Sequence, residues 1–405
     1  MALRGDNMKE NNLDFDDVVD RYNTWSLKYD FAKKYGKADN IMPLWVADMD
    51  FKTSSYVLEA MENVCRHGIF GYSEADDSYF NAVAGWMKEK HGWNVEKEWL
   101  VKTPGVVFAL AMAVRAYTKE GDAVIINQPV YYPFSEVITN NGRVIVNSSL
   151  VLGENGKYHI DFCDFERKII ENNVKMYILC SPHNPVGRVW SREELVTLGN
   201  ICVKHNVIVC SDEIHEDFVY TGFRHNVFAD ICEEFRNISI TCTSPAKTFN
   251  LAGLQVSNIF ISNPSLRDLF VKQVAAAGYS QINIMGLAAC KAAYAKGTEW
   301  YRGMISYIEE NVSVVREFLE NEIKDIRLIE PEGTYLLWLD FRNILPDEHK
   351  RRKLIEKDAG LWLDAGIMFG EEGKGFERIN AACPRTVLVT ALEKLKKALD
   401  NSYRM

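Results

Sequence analysis

From about residue 75 to residue 290 the chain alternates between short apolar, β-branched runs and longer amphipathic stretches. Strand-like runs fall near 123–127, 143–147, 175–180, 207–211, 237–242 and 257–262. Helix-like stretches fall near 77–91, 106–118, 133–141, 164–172, 192–205 and 282–295. Strands without a polar face, separated by helices, predict a largely parallel sheet covered on both sides. In such sheets ligands gather beyond the carboxyl ends of the strands. Here the runs Met176–Cys180, Val207–Cys210 and Ile238–Cys242 are followed by Asn184, Asp212 and Lys247, so three polar residues converge on one sheet edge. After about 295 the character changes. An amphipathic helix over roughly 299–322, a turn and strand through 332–340, and helices near 348–359 and 385–400 predict a smaller α+β unit. Before the alternation lie an irregular or helical arm (16–29), a Trp- and Met-rich segment (41–51) and a helix at about 54–66. A flexible linker would not carry Trp45, so that segment is expected to be packed.

Composition bounds the class. The chain has 405 residues, 47% of them hydrophobic, which suits two or so domains with a sizeable core. A net charge of −9 argues against a nucleic-acid or anionic-membrane partner. The nine cysteines show neither a CxxC pair nor metal-ligand spacing with histidine, so no metal is expected. Several sit inside apolar runs and read as small buried hydrophobes of a reducing, cytoplasmic compartment. The polar N-terminus has no apolar core of a secretory signal, and the most apolar stretch, 106–117, is too short to span a bilayer. Residues 1–7 read as an upstream extension and are set aside.

The stretch Ser244-Pro245-Ala246-Lys247-Thr248-Phe249-Asn250-Leu251-Ala252-Gly253 follows one of the buried runs. A lysine at a strand end is readily desolvated, which lowers its pKa and frees the amine for covalent chemistry with a carbonyl. Ser244, three residues earlier, is placed for a phosphate oxygen. From these residues alone, a loop lysine after an edge strand is an equally good reading.

This stretch resembles the cofactor-lysine segment of fold-type I pyridoxal-phosphate (PLP) enzymes. Three further segments match in order: Pro43-Leu44-Trp45-Val46-Ala47-Asp48-Met49-Asp50-Phe51, Ser181-Pro182-His183-Asn184-Pro185-Val186-Gly187 and Ser211-Asp212-Glu213-Ile214-His215. Within that family the chain is most similar to the MalY/PatB branch, the cystathionine β-lyases or C–S lyases related to class I/II aminotransferases. The 43–51 segment is specific to the branch; the other motifs are widely shared. The resemblance implies a large PLP-binding domain over 52–295. It also implies a smaller domain made of 8–51 and 296–405, and a homodimer with shared active sites.

It further implies roles. Lys247 takes the cofactor aldehyde. Asp212 faces the pyridine nitrogen, though as a residue it reads equally as a helix cap. Asn184 donates to the ring hydroxyl, against an Asn-Pro turn. Gly105, Val106 and Val107 open an apolar helix whose N–H groups meet the phosphate, with Ser244 adding a hydroxyl. Tyr131 stacks on the ring, although Tyr132 stands next to it. Trp45 belongs to a segment over the substrate site, and Arg378 takes the substrate α-carboxylate, where a surface arginine is the plainer reading. Two positions depart from many aminotransferases: Gln255 stands where they carry an arginine for phosphate, and His215 where they carry a tyrosine. Both agree with the lyase branch. The phosphate charge is then expected to be met from elsewhere, by Tyr72 of the partner subunit.

The expected activity is PLP-dependent C–S β-lysis of L-cystathionine and other S-substituted cysteines. An aminotransferase would use the same residues, because the two routes differ only in the fate of the carbanion. A regulatory or binding protein that has kept fold and cofactor is a third reading, opposed by the intact Lys247, Asp212, Asn184 and Arg378.

Overall fold

The computed structural model describes residues 14–402. The proposed extension at 1–7 and the start of the expected small domain at 8 lie outside the described residues. A seven-stranded sheet forms the centre. Its spatial order is Leu100–Thr103, Ser257–Phe260, Ser239–Thr243, Ile208–Asp212, Met176–Cys180, Ala123–Ile126 and Val144–Asn147. All neighbours pair in parallel except Ser257–Phe260, which runs against both of its neighbours. The expected largely parallel sheet is therefore present, with one reversed strand near its edge.

The pattern of burial explains the strands. Every residue of Met176–Cys180 is buried. Tyr177 and Leu179 face one apolar cluster, while Met176, Ile178 and Cys180 face another. Successive side chains of a strand point to opposite faces, so both faces are covered. Each large aliphatic side chain taken fully from water stabilises the fold by roughly 1.5–3 kcal/mol, and the polar residues inside Ile208–Asp212 and Ser239–Thr243, Ser211 and Thr241, carry only small hydroxyls. The covering helices begin where capping predicts. Ser191 and Glu194 form a reciprocal capping box at Arg192–Lys204, and Asn283 caps Ile284–Lys296.

A second, antiparallel sheet has the order Arg327–Ile329, Leu336–Asp340, Phe376–Asn380, Asp364–Ala365. The helix Thr298–Glu322 leads into it and buries Trp300, Met304, Ile308, Val312, Val315 and Leu319, a stripe at helical spacing. The arm at 14–31 contains turns and no helix. Two residues of the following segment, Met42–Pro43, pair in parallel with Leu361–Trp362, and Trp45 stacks on Trp362 at 4.3 Å between ring centroids. The N-terminal segment thus lies against the C-terminal part of the chain. One apolar cluster runs without a break from Val57 and Tyr79 to Leu336 and Leu399.

Candidate active site

Register brings the three polar strand ends together. Cys180 is paired with Asp212, and Asp212 with Cys242, so the strands carrying Asn184, Asp212 and Lys247 finish at one level. Beyond them lies a cavity of about 370 Å³. Gly105, Val106, Val107, Tyr131, Asn184, Asp212, His215, Ser244 and Lys247 all line it, together with Ala47, Cys180 and Gln255. Lys247 sits in the short helix Pro245–Thr248, which Ser244 caps: its hydroxyl accepts from Ala246 N and donates to Val256 O at 2.7 Å. The hydroxyl proton expected for phosphate is therefore committed to the backbone.

Lys247 Nζ donates to Ala47 O at 2.6 Å, and Tyr335 Oη donates to the same carbonyl at 2.9 Å. The lysine borders the open cavity, but protein surrounds its amine. Burial, reinforced by the positive charge of Arg378, lowers its pKa to about 8 even though Asp48 and Asp212 pull the other way. Asp212 accepts only one backbone N–H, from Ile214 at 3.2 Å. Burial raises its pKa to about 7, with the Ile214 bond and Lys247 opposing. It is a buried carboxylate short of a cation. His215 is held well below the ordinary histidine range by burial and by the charges of Lys247 and Arg378, and its Nδ1 is buried without a partner.

The cavity floor near Gly105 suits an anion. The first intrahelical bond of Val106–Tyr117 is Ala109 N to Gly105 O, which leaves the preceding N–H groups free at the N-terminus. A Cβ on Gly105 would enter open space, so the glycine keeps the backbone within reach of a ligand. Gln255 contributes no charge. Among the described residues lining the cavity, Lys247 is the one lysine or arginine.

The remaining expected residues stand outside the cavity wall. Arg378 is buried one layer back. Its Nη1 donates to Asn184 Oδ1 at 2.9 Å, leaving the Asn184 amide nitrogen to donate elsewhere, and its Nη2 donates to Trp45 O at 2.9 Å and to the Asp364 carboxylate. It is not the surface arginine of the plainer reading. Trp45 touches the site through its carbonyl, while its ring packs against Trp362 and Tyr35. Tyr72 is 99% exposed beside exposed Ile69 and Phe70, and it does not reach the cavity of its own chain.

Sequence reasoning missed the residues that fix the 43–51 segment over the lysine. Asn250 bonds Met49 N, Met49 O and Phe51 O, and Asn380 donates to Val46 O and Asp48 O. Lys28, fully buried, reaches Asp50 Oδ2 at 2.7 Å, and Arg21 binds both Asp48 and Asp50. Asp48 is held below the usual carboxylate range: burial pushes it up, but Arg21, Lys28 and Lys247 outweigh that. Beneath the site, Asp217 accepts from Trp86 Nε1 and from Thr248 Oγ1, which ties the helix of Lys247 to the core. Asn250 stands three residues after the lysine and Asn380 two after Arg378, offsets that mark nothing by themselves.

The residues fit the group that the resemblance implies. An amine of lowered pKa, an uncompensated buried carboxylate, an unfilled helix N-terminus beside a glycine and a neutral histidine lacking a partner all face one cavity. Together with the sheet they define an aminotransferase-like fold of type I. The chain belongs to the family of class I and II aminotransferases, whose family model matches residues 39–395. It is 41% identical over 389 residues to the cystathionine β-lyase PatB of Bacillus subtilis (strain 168), covering 96% of this chain and 100% of the relative. It is 32% identical to the protein MalY of Escherichia coli (strain K12), over 97% and 99% of the two chains. The crystal structure of cystalysin from Treponema denticola, which contains pyridoxal 5′-phosphate, superposes with a TM-score of 0.93 at 39% identity, over 96% and 99% of the chains.

Proposed function

We propose that the protein is a PLP-dependent C–S β-lyase that cleaves L-cystathionine and related S-substituted cysteines to a thiol, pyruvate and ammonia. The observation that carries the chemistry is Lys247, an amine of pKa about 8 in a cavity shared with the uncompensated carboxylate of Asp212. The similarity to a relative named cystathionine β-lyase carries the choice of substrate.

PLP, when bound, supplies an electron sink for the charge developing at the substrate α-carbon. Lys247 would hold its aldehyde, Asp212 its ring nitrogen, Asn184 and His215 the ring hydroxyl, and the backbone of Gly105, Val106 and Val107 its phosphate, with Tyr131 over the ring. Ser244 supports the same wall. Lys247 Nζ takes the α-proton as general base, and loss of that proton lets the β-thiolate depart. Ala47 O receives the protonated amine. Arg378 orients the α-carboxylate through its charge. The segment carrying Trp45 and Ala47 covers the amine and limits water.

The protein is read as a homodimer in which Tyr72 of the partner subunit completes the phosphate site. Support comes from the exposed Ile69, Phe70 and Tyr72 and from the missing cation at Gln255. A division into 52–295 and a second unit of 8–51 with 296–405 is supported by the pairing of Met42–Pro43 with Leu361–Trp362. A reducing, cytoplasmic setting is supported by free thiols such as Cys210 and Cys242, whose sulfurs share a hydrogen bond at 3.8 Å.

The test is steady-state release of pyruvate from L-cystathionine with and without a 2-oxo acid. Elimination needs no second substrate, so turnover is expected to persist without the oxo acid, whereas L-alanine gives none. Inert thioethers combined with fast, oxo-acid-dependent amino transfer would replace this reading with the aminotransferase one.

A further inference from the structure

The guanidinium on which substrate binding depends already has a counter-ion. Arg378 Nη1 is taken by Asn184 Oδ1, and Nη2 by Trp45 O and the carboxylate of Asp364. Only Nε lacks a partner, and it is buried. Asp364 and Arg378 are register partners on the adjacent strands Asp364–Ala365 and Phe376–Asn380, with side chains 4% and 3% exposed. The pairing is therefore set by the sheet and cannot be shed by a surface rotamer change. A substrate α-carboxylate arriving at Arg378 puts two carboxylates on one guanidinium in a poorly solvated place, which is unfavourable unless one is neutral.

We infer that Asp364 is a specificity-determining residue: it neutralises Arg378 in the resting protein, and takes a proton from solvent when a substrate carboxylate joins that guanidinium. The proton comes to an Asp364 carboxylate oxygen from water or buffer and returns when the carboxylate leaves, so no other reactant is needed. The surroundings support this. Burial holds the Asp364 carboxyl above its ordinary range, although Arg378 and Lys37 pull it down. The other titratable groups facing it are Tyr131, Tyr132 and Glu377. Glu377 is itself raised, to about 8, by burial against the pull of Arg351. Lys37 is also engaged with Glu356. Asp364 is thus the acidic group in direct contact with the carboxylate-binding arginine.

This inference rests on the reading of Arg378 as the carboxylate site, and the experiment separates the two. The probe is 3-(methylthio)propionate, a thioether carboxylate that has no amino group and cannot react. Its binding to the holoenzyme is measured by calorimetry between pH 6 and 8, in two buffers of different ionisation heat. Wild type is expected to take up close to one proton per site and to bind up to about tenfold more weakly per pH unit of rise, the limit for one linked proton. Asp364→Asn keeps the shape and removes the charge. It is expected to bind roughly tenfold more tightly at pH 8, with little pH dependence and no proton uptake. If Arg378→Ala weakens the probe but Asp364→Asn weakens it too or leaves it unchanged, Asp364 only props the arginine and the inference fails. If wild type binds the probe without proton uptake, it fails irrespective of how the variants fold. If Arg378→Ala leaves both the probe and the KM for cystathionine unchanged, the reading of Arg378 itself is wrong.

Discussion

The lowered pKa of Lys247 predicts how the apoprotein regains its cofactor. Only the neutral amine attacks an aldehyde. A lysine at the ordinary value of 10.5 is neutral at pH 7 in about one molecule in three thousand, while one at about 8 is neutral in about one in ten. The cavity therefore raises the reactive fraction about 300-fold, and burial is the largest cause. The assay strips the cofactor and follows reattachment of PLP by stopped-flow absorbance from pH 6.5 to 10. The rate is expected to rise about tenfold per pH unit below 8 and to level off above it. The neighbours give signs as well. Asp48 stabilises the charged amine, so Asp48→Asn should move the inflection to lower pH; Arg378 repels it, so Arg378→Ala should move it higher. A rate that climbs to pH 10 without an inflection, or an Asp48→Asn inflection displaced upward, would refute the reasoning. The same sign governs stability. The unfolded chain binds more protons between pH 8 and 10.5, so the apo fold gains stability from this group as pH rises through that window.

Three other outcomes follow from named contacts. Lys28→Met strands Asp50 in a buried site, and because Arg21 (2.6 Å) and Tyr29 (3.1 Å) remain on that carboxylate the loss should lie near the low end for a broken buried pair, about 3 kcal/mol. A urea midpoint at fixed protein concentration, displaced by the equivalent of under about 1 kcal/mol, would show that Arg21 alone suffices. Arg378→Ala should cost about 1.5–3 kcal/mol in kcat/KM, carried mainly by KM, while cofactor binding measured by absorbance titration changes less. Tyr72→Ala and Lys247→Ala chains, each impaired alone, should regain activity when unfolded and refolded together, since a mixed dimer then holds one intact site; no regain would place each site within one chain.

Much of the site was legible because the central strands carry a plain signal. Met176–Cys180 is apolar and buried throughout, Ser239–Thr243 is a buried run of small and β-branched residues, and a charged or amide residue just past such a run has few places to go. Other parts were hidden for physical reasons. The helix Pro264–Ala276 exposes Leu269 and Val271, so its apolar stripe is blurred. Leu100–Thr103 is a strand only because Ser257–Phe260, distant in sequence, runs antiparallel beside it. The hairpin of Leu150–Leu152 with Tyr158–Ile160 is too short to show alternation. Ala47 acts through a carbonyl, which every residue possesses, so no side-chain pattern marks it. Asp364 meets Arg378 through the register of a two-residue strand, a relation that spacing along the chain does not encode.

The anchoring of the 43–51 segment bears on the order in which the protein assembles as it is made. Beside Arg21 and Lys28, its partners are Asn250, Trp362, Asn380 and Ala382, whose backbone carbonyl receives Asp50 N. A chain emerging from its N-terminus has the ion pairs of Arg21 and Lys28 with Asp48 and Asp50 at hand from the start, but the contacts with residues 361–382 wait until almost the whole polypeptide has been synthesised. The central sheet, built from residues 100–260, can form long before then. The roof over Lys247 is therefore completed late, and a chain truncated before residue 361 lacks the strand partner and the Asn380 and Ala382 contacts that hold it. Enclosure of the lysine thus draws on both ends of the chain, the N-terminal segment supplying the roof and the C-terminal part its anchors.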